Sequence, residues 1–429
     1  MKISFTKKQL EALDAIKKGF NVFLTGPGGS GKSFLIKYFV EFYKNEIETK
    51  DSQLHITSTT GLSSLLIDGM TIHRYSGIGT GLKDIDYYYK KILKMKNVKK
   101  RWLATTVLII DEISMMNSDF FDKLENLAKK IRKIDEPFGG IQIILSGDFL
   151  QLPPVKSNDF CFESFSWDMV IKKTFYFDEI IRQDNLKLQN VLNNVRVGII
   201  NEDVKNMLNS CLDKELETSN GIKPTLLFSK KDMVIENNER ELNNLIKNNY
   251  DHYTYYCSYI YDDSIDEENK IFYKEILDNQ FNIENKIILS EKSQVMLTIN
   301  LPEHNLANGS RGIIIGFSKK SVIPYPIVLF LNGVTLEITP HEYIIEENDF
   351  VLKKIQIPLI LSWAITIHKA QGMSLEFVKT DIGNSIFEYG QAYVVLSRIK
   401  NIEGLSLINI NYDSIKAHPK IIKYYNKLK

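Results

Sequence analysis

The sequence predicts an α/β fold built on a parallel sheet, and three observations carry that prediction. Short apolar runs rich in β-branched residues recur through the first third of the chain. Amphipathic stretches separate them, and the earliest run leads directly into the glycine-rich loop GPGGSGKS (26–33). Such alternation sets helices on the faces of a parallel sheet and ligands at the carboxyl ends of its strands. The chain has 429 residues. Single cores rarely grow past roughly 250–300 residues, so two or more domains are expected.

Taken in order, the opening stretch MKISFTKKQLEALDAIKKGF mixes charged and apolar residues at helical spacing. It lacks a continuous hydrophobic region and reads as a helix, not a signal peptide. NVFLT (21–25), LHITST (54–59), TVLIID (106–111) and IQIILSGD (141–148) read as strands buried on both faces. KSFLIKYFVEFYK and SDFFDKLENLAKKIRK place apolar residues at three- and four-residue steps, as helices covering that sheet would. Further on, roughly 285–357 holds SQVMLTIN, GSRGIIIGF and YPIVLFLNGVTLEIT, short strands between turns that suggest a small β-barrel. The aromatic run YDHYTYYCSYIYDD (250–263) reads as strand packing, with a base-stacking platform as its alternative.

Composition excludes several classes. The 44% hydrophobic content is ordinary for a globular chain, and no stretch reaches the ~18 apolar residues of a membrane helix. Cys161, Cys211 and Cys257 lie far apart with no CxxC or His/Cys cluster, which argues against a disulfide framework or zinc site and fits a reducing interior. The 54 basic and 53 acidic residues nearly cancel, so any polyanion must meet local positive charge. One such segment is KKILKMKNVKKR (90–101), with seven basic residues, no acid, and DYYYK just before it. It reads either as a contact for a nucleic-acid backbone or junction, or as a solvated basic helix.

The chemistry starts at the loop. Gly26, Pro27, Gly28, Gly29, Ser30, Gly31, Lys32 and Ser33 fit G-x-x-x-x-G-K-[ST] at every fixed position, between a strand and a helix. Glycines let successive N–H groups converge on phosphate oxygens, and the helix adds its positive end. Lys32 then reaches the β- and γ-phosphates and Ser33 ligates Mg²⁺. VLIIDEIS (107–114) ends a strand in Asp111, suited to the magnesium shell, and Glu112, suited to polarising water. In SGDFLQLPPV (146–155), Gln151 beside a phosphate site can sense the γ-phosphate or orient water; read alone, the stretch is by default a rigid proline turn with an exposed glutamine.

The run DEISMMNSDFFDKLENLAKKIRKIDEPFGGIQIILSGDFLQLPPV (111–155) resembles the signature region of the Pif-type DNA helicases, a RecD-like branch of helicase superfamily one. FTKKQ (5–9) resembles the family's adenine-reading motif, with Gln9 in the reading position. TSTTGLSSLLIDGMTIHRYSGIG (57–79), IIRQDN (180–185), LNNVRVG (192–198), LSWAITIHKAQGMSLEFVKTDIG (361–383) and GQAYVVLSRIKNIEGLSL (390–407) follow in the family order.

The resemblance implies two RecA-like P-loop NTPase domains with parallel sheets. The first spans 1–175 with a small wedge insertion near 78–102; the second spans 176–284 and 358–429 around an SH3-like β-barrel insertion at 285–357. It implies ATP at their cleft, Arg182 and Arg398 reaching the γ-phosphate from the second domain, and Gly372 in the nucleotide-binding set. It places Thr59, Thr60, Gly61, His73 and Pro154 on the first domain's single-strand track, His368 and Lys369 on the second's, and Asn308 and Gly309 beside them. The other five histidines receive no role.

The implied function is an ATP- and Mg²⁺-dependent, 5′ to 3′ helicase acting on single-stranded, duplex and forked DNA and on G-quadruplexes. It is expected to be intracellular, without a membrane partner, and monomeric when free. An RNA-dependent helicase and an ATP-gated DNA clamp without unwinding stay open.

Overall fold

The structure is a computed structural model that describes residues 5–428 except 50–51, 68, 80, 156, 184, 217–220, 264, 282, 319–321 and 348–349, so one position of IIRQDN lies outside the described residues. The chain forms two compact units. The first comprises Met1–Asn206, Glu388–Ser397 and Tyr412–Lys429; the second comprises Met207–Phe387 and Arg398–Asn411. This division departs from the boundary expected at 175/176. Strand Lys173–Tyr176 completes the first sheet, and the helix Leu186–Arg196 buries Leu188, Val191, Leu192 and Val195. The helix Pro419–Leu428 adds Ile421 and Tyr425 to the first core.

The first unit is built on helices α1 (Lys7–Lys17) and α2 (Lys32–Glu46) and strands β1 (Val22–Thr25), β2 (Gln53–Ser58), β3 (Met70–Thr71), β4 (Thr105–Asp111), β5 (Gln142–Gly147) and β6 (Lys173–Tyr176). The strands form one sheet in the order β3-β2-β4-β5-β1-β6, and every pair is parallel. Successive residues bury on opposite faces. Val22, Leu24, Val107, Ile109 and Ile144 pack beneath α1 and α2. Phe23, Leu108, Ile110, Ile143 and Leu145 pack under Phe121 and Leu124 of the helix Ser118–Arg132 and under Ile421 and Tyr425. A sheet covered on both faces explains why these strands read as unbroken apolar runs. The expected strands and helices are all present; β3, two residues long, and β6 carry no comparable apolar signal.

The basic segment is neither a loose loop nor a free helix. Helices Ile85–Lys94 and Lys96–Ala104 bury Tyr88, Ile92, Val98 and Trp102 in the same core. That fixes Lys90, Lys91, Lys94, Lys96 and Lys100 on the outside, all exposed. Burial of four large side chains, each contributing about 1.5–3 kcal/mol, outweighs the mutual repulsion of solvated lysines.

The second unit carries a four-stranded parallel sheet, in the order Ala364–Thr366, Thr225–Phe228, Val378–Ile382, Leu405–Ile410. Antiparallel strands Thr335–Glu337, Pro326–Phe330, Arg311–Phe317, Gln294–Leu297 and Leu359–Leu361 make a five-stranded sheet in that order. The aromatic run is strand, as its residue types favour. His252–Tyr256 pairs with Lys286–Ser290, and Ser258–Ile260 pairs with Phe350–Gln356. Tyr255 sits in the core with Ile287, Leu289 and Val295. Residues before 285 therefore belong to the same β-rich body as the stretch 285–357.

A buried cation ties that body to the helix Glu267–Phe281. Lys354 is fully buried, and its Nζ donates to Asp278 Oδ1 (2.8 Å), the Ile283 carbonyl (2.8 Å) and Asn285 Oδ1 (2.9 Å). Burial alone would raise the Asp278 carboxyl, but bonds from Lys274, Lys354 and Tyr259 hold it well below the usual carboxylate range. Lys354→Met removes a buried cation and strands its acceptors, so urea unfolding should show a loss of about 3 kcal/mol. The neighbouring Lys353 pairs with Glu342 at the surface (2.7 Å), and Lys353→Met should change stability by less than about 1 kcal/mol.

Candidate active site

Because β1–β6 run parallel, their carboxyl ends share one edge, and the candidate groups of the first unit hang from it. The loop after β1 has Gly26 (φ +141°), Gly29 (+84°) and Gly31 (+83°) in the region that excludes most side chains. A Cβ on Gly26 would overlap the Phe177 carbonyl. Gly31 caps α2, and Ser33 stands exposed in its first turn. Lys32 Nζ folds over the loop, donating to the carbonyls of Gly26 (2.8 Å) and Pro27 (2.9 Å) and to Ser30 Oγ (3.3 Å). Burial lowers its pKa to about 8 against the opposing fields of Asp148, Glu112 and Asp111, with Arg196 adding to the lowering.

Asp111 ends β4, buried, and its Oδ1 accepts from the Glu112 N–H at 3.0 Å. Burial pushes its carboxyl up, opposed by the bond from the Glu112 N–H and by the charge of Lys32. Glu112 is left-handed (φ 52°, ψ 43°), a conformation costing a non-glycine residue about 1–2 kcal/mol. Its carbonyl accepts from Thr59 Oγ1 at 2.8 Å, which holds the turn. Gln151 is buried, not exposed as the isolated-turn reading has it. Its N–H donates to the Asp148 carbonyl at 2.9 Å, and its Oε1 has no hydrogen-bond partner. Its carbonyl lies so close to Gly390 that no side chain fits there.

Arg182, assigned by its motif to the second domain, belongs to the first unit. The Ile181 and Arg182 N–H groups donate to the Gly29 carbonyl at 2.8 and 3.2 Å, and Nη1 donates to the Ser397 carbonyl at 3.2 Å. Its side chain fills the space a Cβ on Gly29 would need, and burial lowers its pKa. Gln9 closes a capping box with Thr6, accepting from its N–H at 3.0 Å, and sends Nε2 to the Ser30 carbonyl at 3.2 Å. It is thus a direct brace of the loop. Arg398 and Gly372 belong to the second unit. The buried Arg398 Nη1 lies 3.5 Å from the Ala370 carbonyl and 3.4 Å from that of Met373; Gly372 (φ +80°) is exposed.

On the first unit, Thr59, His73 and Pro154 line one cavity of about 340 Å³ with Ile72, Met115, Met116 and Phe120. His73 lies against Phe120 with ring centroids 4.9 Å apart, and burial lowers its pKa. Thr60 does not line that cavity. Its hydroxyl donates to Ser63 Oγ at 2.7 Å and accepts from the Ser63 N–H at 3.2 Å, capping the helix that Gly61 begins. On the second unit, His368 and Lys369 share the short helix Ile367–Ala370, capped by Thr366, and burial lowers the Lys369 pKa. Asn308 is buried, donating from Nδ2 to the Thr298 carbonyl at 3.0 Å, and Gly309 (φ +95°) follows it. Both build the turn before Arg311–Phe317.

The PIF1-like helicase family model matches residues 4–206. The crystal structure of Pif1 helicase from Candida albicans is 32% identical, covers 100% of both chains and superposes with a TM-score of 0.84. The chain belongs to the PIF1-like helicase family. The ATP-dependent DNA helicase PIF1 of Xenopus laevis is 36% identical over 99% of this chain and 65% of its own length. The uncharacterized protein 030L of Invertebrate iridescent virus 6 is 33% identical over 99% and 94%. The chain spans 64–66% of the length of the first curated relatives it matches. Family membership bears out the motif resemblance and the α/β class with RecA-like parallel sheets.

Within this PIF1-like unit the sequence reading missed Tyr393, whose hydroxyl accepts from the Gly28 N–H at 2.9 Å. It also missed Asp148 and Arg196, although both stand in quoted motifs, and Tyr425, about which no local pattern gives notice. Met115, Met116 and Phe120 of the cavity look like ordinary core residues in sequence. Gly26→Ala should strain the loop by about 1–3 kcal/mol, about 5- to 150-fold in affinity for a fluorescent ADP measured by titration.

Proposed function

We propose that this protein is an ATP-dependent DNA helicase that moves 5′ to 3′ along single strands and opens duplexes, forks and G-quadruplexes. The observation that carries the reading is the gathering of Lys32, Asp111, Glu112, Gln151 and Arg182 around one phosphate loop at one sheet edge. The names of its relatives support the DNA substrate.

Loop N–H groups and Lys32 bind the phosphates. Glu112, turned out by its left-handed backbone, orients the attacking water, and Gln151 and Arg182 bear on the γ-phosphate. Among the described residues no group of three or more His, Cys, Asp or Glu could hold a metal alone. Ser33 and Asp111 offer two hard oxygens, which suits Mg²⁺ shared with nucleotide phosphates. When bound, the metal neutralises phosphate charge. Arg398 completes the transition-state charge from the second unit, so hydrolysis is coupled to movement of that unit. The cavity at Thr59, His73 and Pro154 presents apolar and ring surface for a base, and His368 and Lys369 continue the strand path. The enzyme works as an intracellular monomer.

Strand separation measured on substrates tailed at either end, in DNA and RNA, tests substrate and direction together. Unwinding of the 5′-tailed DNA alone is expected; equal activity on RNA would favour the RNA-dependent machine, and ATP-dependent binding without unwinding would favour a clamp. Glu112→Gln should bind ATP and turn over at least about 100-fold more slowly, and Arg398→Ala should lose hydrolysis while keeping nucleotide-free DNA binding.

The exposed lysines of the helices Ile85–Lys94 and Lys96–Ala104 give the duplex phosphates a local positive surface. Replacing Lys90, Lys91, Lys94 and Lys96 by Gln should flatten the salt dependence of forked-DNA binding, by about 0.9 in slope for each phosphate that is no longer neutralised. An unchanged slope would make the segment a solvated face.

A further inference from the structure

Beneath the phosphate loop lies a buried polar cluster that no motif reading assigns. Asp148, the residue after β5, is fully buried. Arg196 forks onto it, with Nε donating to Oδ2 at 2.8 Å and Nη2 to Oδ1 at 2.7 Å. Tyr425 gives its one proton to Oδ1 at 3.2 Å. Its oxygen then accepts from the Thr25 hydroxyl at 2.6 Å and from the Phe149 N–H at 3.1 Å. Arg196 Nη1 donates to the Tyr176 hydroxyl at 2.9 Å. The hydroxyl protons of Thr25 and Tyr425 and each guanidinium nitrogen of Arg196 thus have acceptors.

These bonds join the ends of three adjacent strands. Thr25 closes β1, Tyr176 closes β6 and Asp148 follows β5, in the spatial order β5-β1-β6. Each strand runs into a loop with a candidate phosphate contact: the phosphate loop itself after β1, Gln151 after β5, and Arg182 after β6. A buried ion pair is weak evidence for stability, since apolar replacements of similar volume are often neutral or better. Its placement under three converging loops calls for a positional role.

We infer that Asp148, Arg196 and Tyr425 are positioning residues that lock these three loops in register, so that all meet the same γ-phosphate. The inference rests on the nucleotide-hydrolase reading of the site. A displacement of about 1 Å in such a constellation is worth up to about 100-fold in rate.

The test compares wild type with Tyr425→Phe, Arg196→Lys and Asp148→Asn, measuring kcat, melting temperature, and the affinities of ADP and a non-hydrolysable ATP analogue. ADP is gripped by the phosphate loop alone, whereas the γ-phosphate needs all three loops. Tyr425→Phe should therefore lower kcat about 10-fold and weaken the ATP analogue several-fold while ADP affinity stays within about 2-fold. Arg196→Lys keeps the charge and loses the fork, and should fall between Tyr425→Phe and Asp148→Asn. Should Asp148→Asn not fold, the two milder variants decide alone. Wild-type kcat in both, or ADP and ATP-analogue affinities falling in parallel with melting temperature, would reduce the cluster to a structural brace. A wild-type protein that hydrolyses no ATP would instead overturn the site reading on which the inference stands.

Discussion

The constraint on which the rest of the first unit depends is the parallel alignment of its six strands. With every carboxyl end on one edge, the six segments that leave the strands, from distant parts of the sequence, all start on the same side of the sheet. Thr25 lies level with Gly147 on one side and Tyr176 on the other, and Ser58 lies level with Asp111. A fully antiparallel sheet would carry half of these loops to the far edge. Burial of both faces holds the register, because a one-residue slip would exchange Phe23 for its neighbours Val22 and Leu24 across the sheet.

The edge concentrates buried charge. Lys32, Arg196, Asp111, Asp148 and Glu112 lie near one another, and burial works against the ionised forms of Lys32, Asp111 and Arg196. The outcomes differ with the partners. Arg196 stays ionised because a bidentate carboxylate holds it, which raises its pKa well above the usual guanidinium value despite burial. Lys32 bonds only to neutral oxygens, and its pKa falls toward 8. The residue meant for a moving phosphate is thus the less committed cation, and the one with a structural partner is the fixed one.

The parts legible in sequence were those whose function and local geometry coincide. Gly26–Ser33 must be glycine-rich to bend and must precede a helix to bind, so one pattern reports both. The four long strands were readable because burial on both faces leaves no polar interruption. β3 was missed because two residues carry no period. Asp148 was visible in SGDFLQ but not interpretable, since its meaning depends on Arg196, 48 residues on, and Tyr425, 277 residues on. Arg182 was recognised as a cation near phosphate, yet placed on the wrong unit. Motif order does not show that the Ile181 and Arg182 N–H groups bond to Gly29. Gln9 shows the reverse case: its position came from the motif, and its bracing bond to Ser30 came only from the fold.

The chain also crosses between units at a telling place. The helix Gln391–Leu396 belongs to the first unit, where Tyr393 meets the Gly28 N–H and the Ser397 carbonyl accepts from Arg182. The next residue, Arg398, belongs to the second unit and lies against the carbonyls of Ala370 and Met373. Consecutive Cα atoms are only about 3.8 Å apart, so this junction has almost no slack. Within the first unit, the carbonyl that holds Arg182 beside Gly29 is thus the last one before the chain passes into the second.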